Sequence, residues 1–151
     1  MLKRFILIIV LLNTFPLVAQ TQEDKIFQLG KNYFIEEKYK TADKYFKKYL
    51  YLYPEGKDRV KCYDYLFQSA MKNNAYDKAI FYLKTILSKC SCFIDMPLYY
   101  NRLGDVYFQI GQYDQALQYY NYVLIKFSDS DETEYSKLKI EQITFLTSQE
   151  E

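Results

Sequence analysis

The stretch RLGDVYFQIGQYDQALQYY, residues 102–120, decides the fold. It holds four tyrosines and one phenylalanine, with two glycines and one alanine among them. Apolar positions recur every three or four residues: Leu103, Tyr107 and Ile110, then Tyr113, Ala116, Tyr120 and, just beyond, Val123. That spacing is one face of a helix, and it occurs twice. Gly111 lies between the two runs, where a helix stops and the chain turns back. The stretch reads as two antiparallel helices joined by a tight turn.

Shifting the chain by 37 residues finds the same stretch twice more. Leu29, Leu66 and Leu103 coincide, as do Tyr39, Tyr76 and Tyr113. So do Ala42, Ala79 and Ala116, then Tyr45, Tyr82 and Tyr119, and Leu50, Leu87 and Leu124. Five identities held across three copies at one shift mark an internal repeat, the signature of a stacked array. Each copy is a helical hairpin. The pattern predicts helices over 22–36, 39–53, 58–73, 76–89, 96–110, 113–126 and 132–147. Breaks at YPEGKD, SKCSCFIDMP and FSDSDE agree, and Ser130 or Asp131 is placed to cap the last helix. Three prolines and four glycines in 151 residues are too few for the turns of an all-β chain.

With the repeats aligned, the motif resembles the tetratricopeptide repeat. The first copy supplies Ile26, Leu29, Gly30, Tyr33, Tyr39, Ala42, Phe46, Tyr49 and Pro54. The third supplies Tyr100, Leu103, Gly104, Tyr107, Gly111, Tyr113, Ala116, Tyr120 and Val123. The resemblance spans about residues 23–128. It implies an all-α chain: a right-handed solenoid of three antiparallel helical hairpins plus a C-terminal capping helix. The repeats fall at about 23–56, 60–93 and 97–130, and the cap at about 132–147, within a single domain over 20–151. Small residues at Gly30, Gly104 and the three alanines let paired helices approach, and aromatic rings fill the grooves between hairpins. One hairpin cannot bury both its faces, so hairpins stack.

Two departures stand out. The period is 37 where the family usually has 34, which calls for extra helix or a longer link. The middle copy has Phe67 in place of the glycine and Ala70 in place of the tyrosine. Together these read as an exchange that conserves core volume.

The first segment, MLKRFILIIVLLNTFPLVAQ, has Lys3 and Arg4, an apolar run from Phe5 to Leu12, and a looser stretch to Ala19. That is the layout of a secretory signal peptide over residues 1–19. The run is too short for the roughly 20 residues a membrane span needs. Cleavage removes two positive charges, leaving 18 basic against 19 acidic residues and a net charge of −1. A near-neutral chain has no electrostatic reason to bind nucleic acid. The expectation is an exported protein, periplasmic or secreted, without stable membrane insertion after cleavage. The Lys, Tyr and Ile richness resembles proteins of Bacteroidota-type Gram-negative bacteria.

No histidine is present, which excludes His-based triads and His metal sites. The glycines at 30, 56, 104 and 111 form no phosphate-cradling loop. Acidic pairs such as Glu36 and Glu37 suit solvated helix ends. The reading is therefore non-enzymatic, with no catalytic residue, no metal and no cofactor. Cys62 begins one helix of the middle hairpin, and Cys90 and Cys92 follow its antiparallel partner. They are candidates for a disulfide staple in an oxidising compartment, or for plain buried thiols.

The resemblance further implies which first-helix positions face the inner groove. They are Phe27, Lys31 and Phe34; Asp64, Gln68 and Met71; and Asn101, Asp105 and Phe108, with Arg102 beside them. Aromatic anchors mixed with hydrogen-bonding groups suit a peptide or a partner helix. Relatives that clamp a terminal carboxylate need several cationic or amide groups. Only Arg102 matches here; Phe27, Lys31, Tyr65 and Leu98 stand at the other positions. The function expected is an exported scaffold or adaptor binding a protein partner in its concave groove. The alternatives are a carbohydrate-binding envelope protein that stacks sugars on exposed tyrosines, and an accessory factor in envelope assembly.

Overall fold

The computed structural model describes residues 21–89 and 95–149, which form seven α-helices and no strand. They are α1 (Gln22–Ile35), α2 (Tyr39–Leu52), α3 (Arg59–Lys72), α4 (Tyr76–Lys89), α5 (Met96–Gln109), α6 (Tyr113–Lys126) and α7 (Glu132–Thr147). Each helix packs on the next, and α1 also touches α3 while α5 touches α7. This is a stack of three hairpins closed by a seventh helix.

Local chemistry fixes the helix ends. Thr21 and Asp24 form a reciprocal capping box at the start of α1, with the Asp24 N–H donating to Thr21 Oγ at 3.1 Å. Each hairpin turns through three residues, and one residue of each turn is left-handed: Glu37 (φ 58°), Asn74 (φ 53°) and Gly111 (φ 75°). At α7 it is Ser130 that caps, its hydroxyl accepting from the Glu132 N–H at 3.2 Å. The six hairpin helices all have 14 residues, so the long period lies in the links, such as the six residues 53–58. That link is clasped by α1 and α2. The Tyr49 hydroxyl donates to Glu23 and accepts from the Asp58 N–H at 2.9 Å, while Glu23 accepts from the Lys57 N–H at 3.1 Å.

The core runs the length of the stack. Ala42, Ala79 and Ala116 are fully buried, as are Phe46, Leu83 and Tyr120 one helical turn on. Each fully buried large side chain contributes about 1.5–3 kcal/mol. Gly30 and Gly104 are required by close approach: a Cβ on Gly30 would lie 2.7 Å from the Phe46 ring, and one on Gly104 2.7 Å from Tyr120. In the middle hairpin the residue aligned with Phe46 and Tyr120 is Leu83. The exchange thus runs across the hairpin: Phe67 brings a ring from the first helix where the second has only a leucine. Ala70, also buried, stands at a different contact. Its tyrosine counterparts stack on the second helix, Tyr33 on Tyr45 and Tyr107 on Tyr119, each pair at 5.4 Å.

Leu29 departs from the reading of it as core. It is 41% exposed, whereas Leu66 and Leu103 are fully buried. Those two stack against the second helix of the preceding hairpin, and no described helix precedes α1. Its neighbours on that face adapt accordingly. Cys62 and Ser69, or Tyr99 and Val106, flank the buried leucines, but Lys25 and Asn32 flank Leu29 and are exposed.

Candidate functional site

Helices α1, α3 and α5 carry the residues expected to face a partner, and the structure divides them into three groups. In α1, Phe27 is only 6% exposed. Its ring sits among Phe46, Tyr49 and Tyr65, with centroids 6.0–6.2 Å away, so it serves as floor. Lys31 is half-buried above it. Phe34 is half-buried, edge-on to Tyr65 at 4.9 Å and to Tyr39 at 5.3 Å.

In α3, Asp64 is held from both sides. Gln68 donates to its Oδ2 at 2.8 Å, and Arg102 of α5 forms an ion pair with its Oδ1. The Arg102 guanidinium also lies over the rings of Phe67 (5.6 Å) and Tyr99 (5.3 Å). Arg102 therefore ties α3 to α5. Met71 is half-buried against the core.

In α5, α7 has taken the three expected positions. Asn101 is 1% exposed; its amide donates to the Glu132 carbonyl (3.0 Å) and carboxylate (2.9 Å) and accepts from the Ser136 hydroxyl (2.6 Å). Asp105 accepts from the Tyr120 and Tyr135 hydroxyls, each at 2.7 Å. Burial first, and those bonds second, push both phenols well above the usual tyrosine value. Phe108 lies against Tyr113 at 5.6 Å, with the Lys139 ammonium 5.0 Å above its ring.

What stays open is a cleft of about 680 Å³ between the first two hairpins. Gln28, Lys31 and Tyr65 line it, with Lys57, Lys61 and Asp24 at its edges. Lys57 pairs with Asp24 at 2.6 Å and Lys61 with Asp58 at 2.8 Å. The Lys57 hydrogen bond, then that of Thr21, lowers the Asp24 pKa. Among the described residues, Lys31 makes no ion pair. The cleft thus offers one uncompensated cation beside an aromatic ring.

Gln28, Lys57 and Lys61 were not expected from sequence. Gln28 is one residue past Phe27, and Tyr65 and Arg102 align with it at the repeat spacing. The cleft therefore takes in this neighbouring position together with Phe27 and Lys31. Lys57 comes from the link, which has no repeat pattern to read.

The Cys62 thiol is fully buried, and desolvation, reinforced by the Asp58 and Glu23 carboxylates, raises its pKa. Cys90 and Cys92, and the expected signal segment 1–19, lie outside the described residues. Among the described residues, no helix is long and apolar enough to cross a membrane.

No curated protein matches the chain. Residues 26–55 and 97–130 each match a family model described as tetratricopeptide repeat. The matched segments are the first and third hairpins; the unmatched one carries Phe67 and Ala70 at the glycine and tyrosine positions. These two matches, set on a stack of helical hairpins, support the tetratricopeptide repeat family, whose members generally act as non-catalytic protein-interaction scaffolds.

Proposed function

We propose that this protein is an exported scaffold that holds an extended segment of a protein partner in the cleft between its first two hairpins. The observation that carries the reading is the asymmetry of the inner face. Its C-terminal third is covered by α7, while in the N-terminal cleft Lys31, next to Gln28 and Tyr65, makes no ion pair among the described residues. Such a site suits a segment with an acidic group for Lys31 and an apolar or planar side chain for Tyr65. Export rests on the residue pattern of 1–19, with Lys3 and Arg4 ahead of an apolar run.

The test is capture of partners from a cell-envelope extract with the mature chain and with Lys31→Glu plus Gln28→Ala. Gln28 is exposed and Lys31 half-buried, and circular dichroism checks that the variant keeps the fold. Loss of the captured proteins in the variant supports the cleft. An unchanged set places the interaction elsewhere. Cell fractionation, with sequencing of the mature amino terminus, tests export separately; a chain that keeps Met1 in the cytoplasm refutes it.

A further inference from the structure

A second cleft, of about 310 Å³, lies between α2 and the middle hairpin. Asp43, Ser69, Ala70, Asn73, Lys78 and Tyr82 line it, and it shares no residue with the Lys31 cleft. The next joint of the same solenoid shows what such a place ordinarily holds. There Tyr107 stacks on Tyr119 at 5.4 Å and 9°, with the Lys84 ammonium 5.8 Å from its ring. Val106 belongs to the core there, and Ile80 is partly buried against that core.

At the first joint three of these residues are changed together. Ala70 stands for Tyr107, Ser69 for Val106 and Asp43 for Ile80, while Tyr82 keeps the place of Tyr119 and Lys47 that of Lys84. A ring-filled apolar joint has become a polar cleft with one face of a tyrosine slot intact. Ser69 is 1% exposed, yet among the described residues neither its Oγ nor Asp43 Oδ1 closes a hydrogen bond of normal geometry. Burial raises the Asp43 pKa, and the nearby Ser69 hydroxyl and the Lys47 and Lys78 ammoniums offset only part of the rise. The Ser69 hydroxyl lies close enough to Asp43 to lower its pKa, so the two groups partly satisfy each other, and the carboxylate keeps room to accept from a further donor.

From this geometry we infer that the cleft is a receptor for a tyrosine side chain of a protein partner, its ring stacked on Tyr82 and its hydroxyl donated to Asp43. The chain already uses that pairing internally, in Tyr49 with Glu23 and in Tyr120 and Tyr135 with Asp105. A phenol also suits the charges. Three lysines, Lys40, Lys47 and Lys78, surround one carboxylate, so an added cation is disfavoured while a neutral donor is not. The site lies outside the Lys31 cleft and stands whether or not that cleft binds a partner.

The experiment titrates the full mature chain with N-acetyl-tyrosinamide and, separately, with N-acetyl-phenylalaninamide, followed by amide chemical shifts. Binding of the tyrosine probe should move the signals of Ser69, Ala70 and Asn73. The phenylalanine probe should bind at least about fivefold more weakly, since a site built around a hydroxyl rejects its absence. Ala70→Tyr should abolish binding and raise the melting temperature, because it supplies the ring in cis. Equal binding of the two probes, shifts confined to other helices, or no shift at all overturns the proposal. The wild-type shifts decide the matter even where the variant does not fold.

Discussion

Gly30→Ala tests whether the glycine exists to admit the Phe46 ring. The added Cβ would meet three ring atoms at 2.7, 2.9 and 3.1 Å. Ordinary contact begins at 3.4 Å, so α1 and α2 must part by about 0.7 Å or the ring must turn. The ring is not free to turn: Phe46 is fully buried and stacked on Tyr65 at 4.9 Å and 2°. Overpacking costs about 1–3 kcal/mol. Alanine returns about 1 kcal/mol of helix propensity. The expected net loss is about 0–2 kcal/mol, too ambiguous to interpret alone.

The double-mutant cycle with Phe46→Leu removes the ambiguity. Leucine at that position is what the middle hairpin has at Leu83, opposite Phe67. Phe46→Leu alone costs about 1–2 kcal/mol, from lost volume and the lost stack on Tyr65. In the Gly30→Ala background the same change also relieves the clash. The double variant should therefore be about 1–2 kcal/mol more stable than the sum of the single effects predicts. Urea denaturation followed by circular dichroism reads this directly, because about 1 kcal/mol moves the midpoint by roughly 0.5 M at a typical slope. Effects that add within about 0.5 kcal/mol refute the reasoning, as does a Gly30→Ala variant more stable than wild type by the full propensity gain.

Further outcomes follow from the same geometry. Phe67→Gly should destabilise strongly, and Leu83→Phe should restore more of the loss than Ala70→Tyr; the reverse order of melting temperatures would return the exchange to Ala70. Glu37→Gly should gain about 0.5–1 kcal/mol, since a left-handed residue with a Cβ is strained where Gly111 is not; thermal melts that show a loss would assign Glu37 a contact of its own. Asn101→Ala should cost about 1–3 kcal/mol by removing the buried amide that bonds the Glu132 carbonyl and carboxylate and the Ser136 hydroxyl, and limited proteolysis should then cut first at α7. The tyrosines with raised pKa make stability fall with alkali. Their native forms hold the proton more tightly than the unfolded chain, so this stability is complete below the unfolded value of 10.0 and is lost as pH rises from there towards the folded values. Tyr100, pushed up to about 12 by burial and then by Tyr122, keeps contributing to the slope in that range. A melting temperature unchanged between about pH 9 and pH 12 would contradict it.

The scaffold was legible because its code is repeated. Three copies of leucine, tyrosine and alanine at one spacing locate every hairpin helix to within a residue, and Gly111 marks a turn that Glu37 and Asn74 also make without glycine. Contacts that have no second copy were not legible, although the bounds of α7 were. Leu29 carries the same letter as Leu66 and Leu103, but among the described residues no helix precedes it, and it is exposed. Asn101, Asp105 and Phe108 sit at groove positions, yet α7 departs from the repeat and its register on α5 could not be aligned. The Asp43, Ser69 and Ala70 cleft is a different case. All three departures are visible in the aligned copies, but only the fold brings helix α2 against the middle hairpin and makes them one site.

The seal over α5 also bears on where a partner can lie. Displacing α7 would expose Ile143, strand the buried Asn101 amide and break the Tyr135 bond to Asp105. The amide alone costs about 1–3 kcal/mol when left unpaired. A partner that used the third hairpin would have to recover that before gaining any affinity. One that used the Lys31 cleft would not, since Gln28, Lys31 and Tyr65 already line an open surface. On this argument the proposed partner lies more readily against the first two hairpins than against the third, whose inner face α7 covers.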